Sequence, residues 1–136
     1  MKFMDFGSFQ IEGELYRRLM LSKNRMMSDH YNPDLFLTQA FVSGADWPGD
    51  TEGRLLLALS MLFQALNEKA DYVRTYFEKI LSFMNEDGYL GAKIDENAIN
   101  EQSLSGNSWL MRGMCEYYEW TKDERALSAI EKMVRG

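Results

Sequence analysis

The sequence predicts an all-α fold built of helical hairpins, and three observations carry that expectation. Apolar residues recur at three- and four-residue spacing in five separate segments of the 136-residue chain. Only two prolines punctuate it. The stretch that opens one helix also comes back 57 residues later, with Gly49 and Gly106 at matching points.

The first helix is expected from about Glu12 to Ser28, with Ile11, Leu15 and Leu19 on one face beside Tyr16 and Met20. The second, Thr51 to Asn67, sets Leu55, Leu59, Leu62 and Leu66 in register, and Leu56 and Phe63 widen the stripe. The third, Lys69 to Asn85, turns Val73, Tyr76, Phe77, Ile80, Leu81 and Met84 inward. Gly88 in "NEDGY" is available for a left-handed cap after it. The fourth, Asn107 to Trp120, runs through Leu110, Met114, Tyr117 and Tyr118. The fifth, Asp123 to Arg135, uses Leu127, Ile130 and Val134, with Thr121 or Asp123 as its cap. Ahead of the fourth helix, "GYLGAKIDENAINEQSLSGNS" has no helical period, and loops of that length are usually functional or disordered.

Composition narrows the function. With 15 Lys and Arg against 21 acids, a net charge of −6 argues against binding a phosphate backbone, so nucleic acid is not an expected partner. The single cysteine, Cys115, allows neither an internal disulfide nor a cysteine-built zinc cage, and reads as a small buried apolar residue. The run Leu55 to Phe63 is too short to span a bilayer, and "MKFMDFGSFQ" lacks the apolar block of a signal peptide. A soluble protein without a membrane partner is expected.

The recurrence has geometric consequences. "PGDTEGRLLLAL" opens a helix that turns through "NEKAD" into a second, and "LSGNSWLMRGMCEYY" does the same through "TKDE". Hairpins repeating at this period suggest an α-solenoid or an α/α toroid. In such stacks one end of the inner helices converges on a common mouth. "ADWPGDTEGRLLLAL" and "NEQSLSGNSW" are then expected to face one cavity.

Taken in order, "FGSFQIEGELYRRL", "NPDLFL", "WPGDTEGRLLLAL", "NEDGYLG" and "SWLMRGMCEYYEWTKDERALSAI" resemble the N-terminal part of the β-L-arabinofuranosidase-like glycoside hydrolases, six-hairpin glycosidases. The resemblance implies an (α/α)6 toroid. A leading helix and about two hairpins would leave that ring incomplete in residues 1–136 and expose helix faces for self-association. It further implies a zinc-bound cysteine nucleophile and a glutamate acid/base, both later in the domain than these residues. The zinc ligands are therefore not expected here, and no cofactor is assigned. Family members often carry a His-Lys pair ahead of the glycine that matches Gly113, where Ser108 and Trp109 stand here. The expected role is one side of a sugar-binding cleft, inactive alone. The alternative is a non-catalytic helical scaffold or ligand-binding module that self-associates.

Six residues are the expected substrate contacts: Trp47, Asp50, Glu52, Gln102, Asn107 and Trp109. Trp47 and Trp109 offer indole faces for a sugar ring, weighed against ordinary aromatic burial. Asp50 and Glu52 could form a carboxylate pair across a glycosidic bond, but helix-start roles are the commoner use of acids at this position. Gln102 and Asn107 supply amides from the loop and the following helix start. Arg54 reads first as an ion-pair partner of Asp50 at helical spacing. His30 stands alone and reads as structural.

Overall fold

Why residues 50–65 form a helix is visible in their first turn. Gly49 is the N-cap with φ +92, and the Glu52 carboxylate reaches back to accept its N–H at 3.1 Å. That bond satisfies one of the donors a helix start leaves open. The computed structural model describes residues 8–32, 34, 47–93, 95 and 97–135 of the chain. Ala45, Asp46 and the stretch "NPDLFL" beyond Asp34 fall outside the described residues, as does Met1–Gly7. Within them the elements are α1 (Gly13–Met26), a 3-10 turn (Asp29–Tyr31), α2 (Asp50–Ala65), α3 (Asp71–Phe83), α4 (Glu101–Thr121) and α5 (Glu124–Arg135). No strand occurs among the described residues.

α2 ends in a Schellman turn. Asn67 takes φ +54, its N–H donates to Gln64 O, and Glu68 N–H donates back to Phe63 O at 2.9 Å. Three residues later α3 starts, so α2 and α3 pair as an antiparallel hairpin, with the Phe63 and Tyr72 rings parallel at 6.1 Å beside the turn. α4 and α5 form the second hairpin. Lys122 caps α4 with φ +55, Asp123 Oδ1 accepts the Arg125 N–H at 3.1 Å, and Asp123 Oδ2 accepts the Tyr117 hydroxyl at 3.2 Å.

The two hairpins meet through α2 and α4. Gly49 lies against Gly106, Gly53 against the main chain of Trp109 and Leu110, and Gly113 against Gly53 O and Leu56. Contacts advance in the same direction along both helices, so α2 and α4 run parallel. They touch backbone to backbone, because a methyl on Gly53 or Gly106 would overlap main-chain atoms of the neighbour. The core then fills the space toward α3 and α5: Leu56, Leu59, Val73, Phe77, Ile80, Leu110, Met114 and Tyr117 are fully buried. Each such side chain contributes about 1.5–3 kcal/mol of transfer free energy. Phe77 stacks on Tyr117 at 4.5 Å, and Arg125 ties the outer helices by donating to Glu78 at 2.9 Å.

Several expectations are corrected. α4 begins at Glu101, six residues before Asn107, because Asn100 Oδ1 accepts the Ser103 N–H at 2.9 Å and caps the helix there. Its inward face continues upstream through Ser103, Gly106 and Asn107, residues an apolar count overlooks. α1 carries no buried residue, and Leu15, expected on its inward face, is 58% exposed. α5 turns Ala126 and Ala129 inward, while Val134 is exposed. Small residues serve on α5 because the helix lies close to the core. Gly88 has φ +91 but sits in the turn after Asn85 instead of capping α3. Cys115 is half-buried, and its thiol is free.

Candidate functional site

The start of α2 lies over the middle of α4 because glycine lets it. Pro48 O sits where a Cβ on Gly106 would be, and Pro48 Cγ lies 2.7 Å from the Cβ position of Gly91, whose φ is +109. The turn at 47–49, the loop at 85–91 and α4 thus meet at one junction. Asn107 locks it. Its Oδ1 accepts the Leu90 N–H at 2.9 Å, and its Nδ2 donates to Leu90 O at 3.1 Å and Ser103 O at 3.0 Å. The amide of Asn107 is fully used by the backbone and lies buried mid-helix.

Above this junction three of the expected residues stand close together. Trp47 O accepts the Asp50 N–H at 3.2 Å, which places the tryptophan one turn ahead of α2, half exposed. Asp50 is the first residue of α2, and its carboxylate takes the Arg54 Nε–H at 3.0 Å, the expected pairing one turn apart. The Arg54 guanidinium in turn covers the Trp109 ring, 4.2 Å from its centroid. Asp50, Arg54 and Trp109 therefore form one continuous stack across α2 and α4. Arg54 occupies one indole face of Trp109, so a second planar ligand would meet the other face or the exposed Trp47.

The remaining two lie elsewhere. Glu52 is 3% exposed and points inward, where its backbone carbonyl accepts the Tyr76 hydroxyl at 3.3 Å. Burial raises its carboxyl pKa, and the charge of Asp50 adds in the same direction, against hydrogen bonds from its own N–H and that of Gly49. Asp50 and Glu52 do not face one another across an open space, and the pair has no shared cavity for a sugar. Gln102 is exposed in the first turn of α4. Sequence reasoning favoured the ion pair for Arg54 over a cavity-facing role; its contact with Trp109 carried no signal, because the 55-residue separation is bridged only by the parallel packing.

Among the described residues no three His, Cys, Asp or Glu side chains stand close enough to share a metal, and Cys115 has no such cluster around it. His30 is exposed and meets the Tyr31 ring edge-on at 4.8 Å. Among the described residues no helix is long and apolar enough to cross a membrane. No protein-family model, curated protein or solved structure matches this chain.

Proposed function

We propose that the chain forms the N-terminal side of an α/α toroid and supplies one wall of a sugar-binding cleft, the chemistry lying with residues outside it. The observation that carries this reading is the Asp50–Arg54–Trp109 stack beside the half-exposed Trp47, where the start of α2 lies over the middle of the parallel α4. Parallel inner helices are what a ring of hairpins needs. A half-buried carboxylate, a guanidinium and an open indole are groups that can bind hydroxyls and an apolar sugar face. Asn107 and Glu52 hold the scaffold under this wall, and Trp47 and Asp50 meet the ligand.

The test is a titration of the full chain with methyl β-L-arabinofuranoside followed by tryptophan fluorescence. A saturable change that weakens at least about ten-fold in Trp47→Ala supports the cleft, a size set by losing one stacking contact. No saturable response in the folded wild type removes it.

A second reading is a helical scaffold that associates with its own copies. It draws on Leu104, 70% exposed in α4, beside Met111, Met133 and Tyr89 around a groove of about 230 Å³. Sedimentation that changes with concentration in the wild type and not in Leu104→Glu favours the scaffold.

A further inference from the structure

On the flank of α2 away from α4, α1 leaves a groove of about 410 Å³. Its polar lining is Ser22 and Arg25 from α1, Tyr31 from the 3-10 turn, and Thr51 and Arg54 from α2, over an apolar floor that includes Leu55. The volume suits one or two sugar rings. Its charge does not follow the chain. In a protein of net charge −6, the two charged residues lining it among the described residues are both arginines. Arg54 is paired with Asp50. Arg25 makes no ion pair among the described residues.

We propose that this groove binds the carboxylate of an acidic sugar, a hexuronate. This rests on the carbohydrate reading above and names its substrate class. Arg25 supplies the uncommitted guanidinium, whose planar fork matches a carboxylate in two parallel hydrogen bonds. Arg54 adds a second positive charge from α2, held in place by Asp50 and Trp109. The hydroxyls of Ser22, Thr51 and Tyr31 are the partners for ring hydroxyls, and Leu55 lies under the apolar ring face. Arg25 also lies in the last turn of α1, where a cation is favoured by the helix dipole, so the test must separate that structural role from ligand binding.

The full-length chain, uniformly labelled with nitrogen-15, is titrated with D-galacturonate, D-galactose and acetate in parallel. Galacturonate is expected to bind roughly ten-fold more tightly than galactose, the gain of one charge-assisted contact. Shifts should centre on residues 22–31 and 51–58. In Arg25→Gln that preference should vanish while galactose affinity stays unchanged, and added salt should weaken only the acid. Equal affinity for both sugars in the wild type overturns the inference and leaves the carbohydrate reading standing. So does an Arg25→Gln variant that loses both sugars equally, the mark of a structural role. Acetate binding as tightly as galacturonate makes the groove a general anion site and also overturns it. If neither sugar binds, this inference falls, and the carbohydrate reading is decided separately by the arabinofuranoside titration.

Discussion

Two carboxylates pull the stability of the protein in opposite directions with pH. Asp123, held by the Arg125 guanidinium and N–H, has its pKa lowered to about 2. Its contribution is present above the ordinary carboxylate value and lost as pH falls toward 2. Glu52 behaves in reverse. Burial raises its pKa, so its contribution is full below the unfolded value and is lost as pH rises through the folded one. Stability is therefore expected to rise out of strong acid and then decline as Glu52 ionises. Glu52→Gln keeps an oxygen for the Gly49 N–H, removes the second limb and leaves the protein more stable at pH 7; urea melts across pH 3–8 check this. Tyr76, buried beside it, has its phenol pKa raised mainly by desolvation and also by the Glu52 charge, so it stays neutral. Asn107→Ala leaves the main-chain N–H and C=O of Leu90 without their side-chain partner in a buried place, and a loss of about 2–3 kcal/mol is expected in the same melts.

At the scale of elements, the seam between α2 and α4 is the sensitive one. Gly53→Ala drives a methyl into the main chain of Trp109 and Leu110, and about 3 kcal/mol of stability should go, since neither backbone can yield. Lys122 takes a left-handed conformation that costs a side-chain residue, so Lys122→Gly should add about 0.5–1 kcal/mol, read as a shift of the urea midpoint. How much of this could be read in advance follows from what marks a buried face. α3 wrote its inward face in Val73, Tyr76, Phe77 and Ile80, which fell where the spacing predicted, and α2 did the same in its leucines and Phe63 but not at Glu52, Gly53 and Ser60. The upstream third of α4 wrote its inward face in Ser103, Gly106 and Asn107, which read as loop because small and polar residues carry no apolar period. α1 has the period with little burial: Leu15, Tyr16 and Leu21 stand outward, and Leu19 is half-buried. Periodicity reports amphipathicity, and it does not report whether a partner covers the face.

For the whole molecule, the recurrence that sets Gly49 against Gly106 does not mark equivalent places: Gly49 caps α2, whereas Gly106 lies inside α4. What the recurrence could not convey is that the two glycines touch. The candidate site was legible only in part, for a related reason. Asp50 and Arg54 are one helical turn apart and announce each other, whereas Trp109 joins them only through the parallel packing of two hairpins. Glu52, three residues after Gly49 in the same motif, turned inward because the helix start needs its carboxylate. The glycine seam has a further consequence for how this surface can change. At Gly49, Gly53 and Gly106 it is main-chain contact that sets the separation of α2 and α4. Trp47, Asp50 and Gln102 can be exchanged for other residues without moving the helices that carry them. The frame does not depend on its rim, which makes that rim the part of the molecule free to acquire new ligands.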